Sequence, residues 1–259
     1  MSPRPFAKLA LASAAIFVLA APAVEAAAIH DAGLFTTVLP ANDDGSTASV
    51  GIGFSIDFYG SSLSSLFVNN NGNVTFSGPL GTYTPFGITG VSTPMLAPFF
   101  ADVDTRAGNT VTYGTNVLGG KSVFGVNWID VGYYGAHTDK LNSFQLIITD
   151  RSDVAAGDFD FEFNYDKIEW ETGDASGGTG GLGGVSAAAG WTNGTGTYYE
   201  FPGSLVNGAL LDGGSDALIA SHLNSSTDGQ YIFRVRSGHV VSVPEPATLV
   251  LLGLGLLGV

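Results

Sequence analysis

The sequence predicts an all-β fold, an antiparallel β-sandwich that carries a flexible glycine-rich loop. Three observations support this class. Apolar and polar residues alternate with a period of two through much of the chain between Ile29 and Arg236. Glycine, asparagine, aspartate and proline separate the alternating runs, as turn residues separate strands. No long segment repeats its apolar residues with the period of about 3.6 that is typical of an amphipathic helix.

The run DFDFEFNYDKIEW is the clearest predicted strand. Phe159, Phe161 and Phe163 alternate with Asp160 and Glu162, so we expect the three rings to be buried and the two acids to be exposed. Shorter runs of the same kind are VGIGFSIDFYG, SLFVNN, NVTFSG, KSVFGVNWIDVGYY, NSFQLIITD and QYIFRVR. The sequence NNNG between two of these runs predicts a tight hairpin, because asparagine and glycine tolerate a positive φ.

The flexible loop is predicted from the composition of GDASGGTGGLGGVSAAAG, residues 173–190. It contains a formal G-x-G-x-x-G at Gly178, Gly180 and Gly183. A dinucleotide-binding unit needs a crossover helix after this motif, whereas here small residues lead into another glycine. We therefore interpret the stretch as a linker between strands.

Charge and cysteine content exclude several classes of function. The chain has 9 Lys and Arg residues against 23 Asp and Glu residues, a net charge of −14. Nucleic acids and anionic membrane surfaces require a basic footprint, so neither is an expected partner. Cysteine is absent from the sequence, which excludes disulfides, thiolate metal sites and cysteine nucleophiles. Cations, and polymers that bind through hydroxyl groups, are compatible with this composition.

The first 26 residues have the organisation of a secretory signal peptide. Arg4 and Lys8 provide a basic start, and an apolar run at 9–21 follows. This run is short for a membrane span, and small residues then form a cleavage site. We expect cleavage after Ala26, with Ala28 as the alternative, and export of the mature protein.

The C-terminal residues 244–259 resemble the PEP-CTERM sorting signal of Gram-negative bacteria. Pro244, Glu245 and Pro246 precede an uncharged, largely apolar segment, which as a helix would span ~20 Å of a ~30 Å hydrocarbon core. The resemblance implies that an exosortase removes the tail on the way to the cell surface or its polysaccharide matrix. Membrane contact is then expected only through the tail, before processing. The basic cluster that usually closes this signal is missing.

Several segments between these ends follow, in order, the pattern of the nidogen-like (NIDO) domain. They include FYGSSLSSLFVNNNGNVTFSGPLGTYTPF, MLAPFFADVDTRAGNTVTYG, FGVNWIDVGYY, NSFQLIITD, DFEFNYDKIEWETG, AAAGWTNGTGTYYEFPGS and QYIFRVR. The resemblance extends from about Gly53 to Arg236 and suggests a domain over 30–237, joined to the tail by a linker at 238–243. It implies an extracellular, non-enzymatic module of cell–matrix adhesion or matrix structure. The expected partner is an extracellular polysaccharide or another matrix component.

One loop, ADVDTRAGNT, contains residues that could bind calcium. Asp102, Asp104 and Asn109 supply oxygen atoms of the kind that Ca²⁺ prefers. The spacing is not that of an EF-hand, because Arg106 and Tyr113 occupy two of its ligand positions. The alternative is that the aspartates cap backbone amides and pair with Arg106, which would shape a turn.

Two further hypotheses remain for the function. Glu169 and Glu171 flank Trp170, so they could lie on one strand face as the carboxylate pair of a polysaccharide hydrolase, although the sequence indicates no cleft. The four histidines have no zinc-binding spacing. The chain could instead be a cation-binding or glycan-binding surface module. Its candidate sugar-stacking residues are Trp128, Trp191, Tyr133, Tyr134, Tyr198 and Tyr199.

Overall fold

The computed structural model of this chain describes residues 28–89 and 91–241. The expected signal cleavage at Ala26 and the motif Pro244–Glu245–Pro246 lie outside the described residues. Strands dominate the described part, and its helices are three short 3₁₀ turns at Ala32–Leu34, Asp174–Ser176 and Leu218–Ala220. Among these residues, no helix is long and apolar enough to cross a membrane.

The described residues form strands β1 to β14. Their bounds are Thr37–Val38, Val50–Phe58, Ser61–Asn69, Asn73–Thr75, Met95–Phe100, Val103–Asp104, Thr112–Leu118, Lys121–Tyr133, His137–Asp150, Phe159–Lys167, Ala188–Thr192, Tyr198–Glu200, Gln230–Arg236 and His239–Val241. The pairings between these strands are antiparallel. The large sheet has the order β1-β7-β8-β9-β10-β13-β14, with β6 also paired to β8. The small sheet has the order β12-β11-β5-β4-β3-β2.

The two sheets pack face to face, which confirms the predicted β-sandwich. Phe159, Phe161 and Phe163 of β10 are fully buried, as the alternation predicts. The ring of Phe161 stacks on that of Phe233 in the neighbouring strand, with centroids 4.8 Å apart. From the opposite sheet, Trp191 packs against Phe161 in a T-shaped arrangement, with ring centroids 6.4 Å apart. Aromatic contacts of this kind add to the stabilisation that apolar burial provides.

The expected exposure of Asp160 and Glu162 is wrong. Their side chains are only 16% and 12% exposed. Asp160 pairs with Arg151 and with Arg236, both at 2.7 Å. Glu162 lies 3.2 Å from Nε2 of His30, which belongs to the segment before β1. The outer face of β10 is therefore covered by ion-pair partners rather than by water.

The segment at 28–36 covers part of the outer face of the large sheet. Phe35 is buried against Val123 and Ile147 of β8 and β9. A Cβ at Gly125 would lie 2.1 Å from the Phe35 ring, so the absence of a side chain there makes room for it. Gln145 of β9 also fixes the segment. Its side-chain amide accepts from the backbone N–H of His30 at 3.0 Å and donates to the backbone carbonyl of His30 at 3.1 Å.

The folded domain extends beyond its expected C-terminal boundary. His239–Val241 form β14, which pairs with β13 through the register Arg234↔Val241. The two strands meet in a tight turn in which Ser237 and Gly238 have φ values of 49° and 81°. Part of the expected linker at 238–243 is therefore an edge strand of the large sheet.

Candidate functional site

A buried polar cluster lies at the turn between β3 and β4. The turn sequence NNNG predicts a hairpin, and Gly72 provides its positive φ of 73°. A Cβ at this position would lie 1.7 Å from the carbonyl oxygen of Phe99, so only glycine lets the turn approach β5 this closely. The neighbouring asparagines Asn69, Asn70 and Asn71 are also buried, and their side-chain amides form the hydrogen bonds of the cluster.

These amides connect three segments that are distant in the sequence. Asn70 Nδ2 donates to the carbonyl oxygens of Asp43 and Val103. Asn71 Oδ1 accepts from the N–H of Val103 at 3.0 Å, and its Nδ2 donates to a carboxylate oxygen of Asp44 at 2.8 Å. The turn therefore holds the 42–45 segment against the residues that follow β5. Buried polar groups that are satisfied in this way fix one arrangement of the chain.

Asp104 accepts hydrogen bonds from backbone amides and pairs with Arg106, as in the turn-shaping alternative to calcium binding. Its buried carboxylate accepts from the Arg106 guanidinium through both oxygens and from the N–H of Ala136 at 2.8 Å. Burial alone would raise the pKa of Asp104, but these hydrogen bonds outweigh it and hold the pKa below its usual value. The Arg106 guanidinium also lies 5.7 Å from the centre of the Tyr134 ring.

The structure separates the other two residues of the expected calcium loop. The Asn109 side chain is exposed, and it donates to the carbonyl oxygen of Ile129 at 3.2 Å. Asp102 is fully buried instead, and its side chain faces Asp43 and Asp44. One carboxylate oxygen from each of these three aspartates lies within 4.8 Å of the other two.

This proximity makes Asp102 an unusual carboxyl group. Burial, followed by the charges of Asp43, Asp44 and Asp104, raises the pKa of Asp102 to about 8. Burial, followed by the charges of Asp104 and Asp44, raises the pKa of Asp43 to about 6. Asp43 and Asp44 are not among the residues that the sequence predicts for a calcium site. The adjacent acids in ANDDGS are the only signal they give, and they lie more than fifty positions before Asp102.

Glu169 and Glu171 do not form a paired site. Strand β10 ends at Lys167, so the two residues lie beyond the strand face on which they were expected. Glu169 is exposed and accepts from the N–H of Leu141 at 2.9 Å. Glu171 is buried and accepts from the N–H of Gly208 at 2.6 Å, and its burial raises its pKa. The two carboxylates thus bond to different segments in different environments, which does not favour the opposed pair that the hydrolase hypothesis requires.

Three of the six candidate stacking residues belong to the core, and Tyr134 is half-buried. Trp128, Trp191 and Tyr133 are buried. Tyr198 and Tyr199 are partly exposed on opposite faces of β12. Only the second of them lines a cleft of about 340 Å³. The cleft is lined by aromatic, apolar and polar residues, among them Tyr199, Phe201, Asp216, Ser221, His222 and Tyr231.

Comparison with known families agrees with this architecture. The family model described as the nidogen-like domain matches residues 64–121 and 114–237. The chain belongs to the nidogen-like domain family. The NIDO match includes the asparagine turn, Asp102 and Asp104, whereas Asp43 and Asp44 precede it. A second model, the PEP-CTERM protein-sorting motif, matches residues 242–259. Both resemblances predicted from the sequence are confirmed.

Individual relatives share the domain but are much longer proteins. Alpha-tectorin of Mus musculus is 33% identical over 196 residues, which cover 65% of this chain and 9% of the relative. Alpha-tectorin of Gallus gallus is 31% identical over 244 residues, which cover 84% of this chain and 11% of the relative. Nidogen of Drosophila melanogaster is 26% identical over 208 residues, which cover 70% of this chain and 14% of the relative. The chain thus spans about a tenth of these relatives. No solved structure matches it significantly.

Proposed function

We propose that this protein is an exported, non-enzymatic component of the cell surface or the exopolysaccharide matrix, in which its NIDO domain serves adhesion or matrix structure. The observation that carries the proposal is the direct succession of two elements. The NIDO match ends at residue 237, the last described strand of the sandwich ends at Val241, and the sorting motif begins at residue 242. The chain therefore combines a module of extracellular proteins with a signal that implies processing by an exosortase.

The remaining steps of export follow from the two ends of the chain. A signal peptide at 1–26 would direct secretion, with cleavage after Ala26. An exosortase would then recognise Pro244, Glu245 and Pro246 and remove the apolar tail. The cell envelope of a Gram-negative bacterium is the compartment in which these two signals operate together. The divergent environments of Glu169 and Glu171 support a binding rather than a hydrolytic role.

An extracellular polysaccharide is the partner class that the surface favours. The Tyr199 ring is partly exposed and packs at 5.6 Å from Phe233, which limits its motion and suits it to stacking against a sugar. Asp216, Ser221 and His222 add hydrogen-bonding groups to the same cleft. The net charge of −14 favours a neutral or cation-bridged polymer over a strongly anionic one.

The sorting proposal is tested by fractionating cells that produce the protein and measuring its mature termini by mass spectrometry. We expect the protein in the surface or matrix fraction, with termini produced by cleavage after Ala26 and near Pro244. Replacing Pro244 and Pro246 with alanine should retain the tail and the cell-envelope association. The exposed Pro79→Ala variant serves as the control. An intact chain in the cytoplasm would overturn the proposal.

The partner is tested by co-sedimentation with exopolysaccharide purified from the same cells. Tyr199→Ala should weaken the retention of the protein several-fold, whereas Tyr198→Ala, an exposed neighbour outside the cleft, should not. Circular dichroism confirms that both variants are folded. Equal retention of the two variants and the wild type would exclude the cleft as the polysaccharide site.

A further inference from the structure

The Asp102 carboxylate lacks the partners that a buried charge requires. Its residue is fully buried, and neither carboxylate oxygen accepts a hydrogen bond from the residues that the structure describes. An ionised carboxylate that is taken out of water without a partner is strongly disfavoured. Nearby residues increase this cost, because Asp43 and Asp44 each bring a carboxylate oxygen to within 4.8 Å.

The one nearby cation of the described chain is already engaged. Arg106 bonds both oxygens of Asp104, and its guanidinium also lies 3.3 Å from Asp43. Almost half of the Arg106 side chain is exposed, so it approaches this group from the solvent side. The guanidinium thus contacts Asp43 and Asp104, and the Asp102 carboxylate has no ion-pair partner among the described residues.

We propose that Asp43, Asp44 and Asp102 bind a calcium ion. Calcium binds oxygen ligands at about 2.3–2.6 Å, which places opposite ligands about 4.6–5.2 Å apart. Three oxygens that all lie within 4.8 Å of one another are close enough to coordinate one such ion. Carboxylate oxygens select hard cations over zinc or copper. Magnesium needs shorter bonds of about 2.0–2.1 Å and gives up its water reluctantly, so it fits less well.

The surrounding residues hold the ligands in position. The side-chain amide of Asn71 donates a hydrogen bond to Oδ1 of Asp44 at 2.8 Å. The turn that carries the first two aspartates is closed by a 2.6 Å hydrogen bond from the N–H of Gly45 to Asn42 Oδ1. A Cβ at Gly173 would lie 2.3 Å from Oδ2 of Asp102, so this glycine leaves room for the carboxylate. Such supporting contacts orient metal ligands before the ion arrives.

The bound ion would join two distant parts of the domain. The 42–45 segment precedes β2, whereas Asp102 lies between β5 and β6. The cysteine-free chain has no disulfide to make such a link. The site also differs from the one suggested by the sequence, because Asp104 and Asn109 bond to protein groups and only Asp102 remains a ligand.

The direct test is calorimetric titration of the full chain with calcium chloride, at constant ionic strength set with sodium chloride. We expect one site with a dissociation constant of about 10⁻⁴ to 10⁻³ M, the range of extracellular calcium modules. One millimolar calcium should raise the melting temperature relative to EDTA by about 1–5 °C. Absence of both the binding heat and the shift would overturn the proposal.

Substitutions then locate the ion. Asp102→Asn should weaken calcium binding at least about tenfold, the lower limit seen for groups that support metal ligands. It should also raise the calcium-free melting temperature, because asparagine avoids the cost of burying a carboxyl group that is ionised in the unfolded chain. Asp166→Asn makes the same charge change at an exposed position and should leave binding unchanged. Asp104→Asn should lower stability but preserve the calcium response.

A second pair of variants covers the case in which Asp102→Asn does not fold. Asp44→Asn removes a partly exposed ligand, and Gly173→Ala displaces the Asp102 carboxylate without changing the charge. Both should reduce calcium affinity. Full calcium binding by Asp102→Asn, or by both variants of the second pair, would show that the ion binds elsewhere. Stronger stabilisation by magnesium than by calcium would overturn the choice of ion.

Discussion

The indole nitrogen of Trp128 lies 3.0 Å from the backbone carbonyl oxygen of Asn70 and donates a hydrogen bond to it. Trp128 belongs to β8 of the large sheet, and Asn70 to the turn between two strands of the small sheet. The bond therefore connects the two layers at the asparagine turn. Stacking of the same indole on Phe144, at 5.1 Å, fixes its orientation.

Replacing this tryptophan tests the connection between the layers. Trp128→Phe leaves the carbonyl of Asn70 without its donor and opens space in the core. We expect the free energy of unfolding to fall by about 2–4 kcal/mol, as measured by urea denaturation. Trp191→Phe is the matched control, because the buried indole nitrogen of Trp191 has no hydrogen-bond partner among the described residues. An equal loss for both variants would show that the hydrogen bond contributes nothing measurable.

The asparagine turn also depends on its glycine. Gly72→Ala would combine a positive φ of 73° with a Cβ that lies 1.7 Å from the carbonyl oxygen of Phe99. We expect a loss of at least about 3 kcal/mol, because the backbone must move in addition to being strained. Gly60→Ala has a similar φ of 82° with no atom within 4 Å of the added carbon. That control should lose only about 1–2 kcal/mol. Similar thermal stabilities of the two variants would contradict the close approach.

The alternation of side chains predicts the strands that have one polar face, and it fails for strands buried on both faces. The alternation of Phe159, Phe161 and Phe163 correctly predicts which face of β10 is buried in the core. In contrast, the residues of β11, AAGWT, are all buried, so the strand has no polar face and alternation cannot reveal it. Its alanines and glycine also have little intrinsic preference for strands. Only the family resemblance covered this segment.

The candidate site shows a different limit. Asp102 could be found because it lies in a local run of oxygen-bearing residues. Its partners Asp43 and Asp44 come from a segment that only the tertiary fold brings near. The prediction that Asp160 is exposed is wrong for the same reason, because Arg151 and Arg236 approach it from other segments. Periodicity indicates which face a residue occupies, but it does not show what covers that face.

The pair of Arg106 and Asp104 should respond unequally to loss of either partner. The Arg106 side chain is nearly half exposed, whereas that of Asp104 is completely buried. Arg106→Gln leaves a buried carboxylate without its main partner, while Asp104→Asn leaves a guanidinium that water can solvate. We therefore expect a larger fall in the urea midpoint for Arg106→Gln, at equal protein concentration and in EDTA. A larger fall for Asp104→Asn would contradict this assignment.

The pair of His30 and Glu162 should make the stability depend on pH. The contact of His30 Nε2 with the accepting Glu162 carboxylate, opposed by burial and assisted by the negative charge of Glu162, raises the pKa of His30 above its ordinary value of 6.5. The folded state then holds this proton more tightly than the unfolded state does. The resulting stabilisation is fully present below about pH 6.5 and is lost as the pH rises through the raised pKa. Because His30 is partly exposed, we expect less than about 1 kcal/mol.

Urea denaturation at pH 5.5 and pH 8.5 measures this contribution as the difference between the wild type and His30→Asn. The variant should be less stable than the wild type at the lower pH and nearly equal to it at the higher pH. The backbone of residue 30 keeps its bonds to Gln145, so the segment should stay in place. His222→Asn removes a histidine whose partner Asp228 is also on the surface, and serves as the control. A deficit of His30→Asn that is equal at both pH values would mean that His30 acts by packing rather than by its charge.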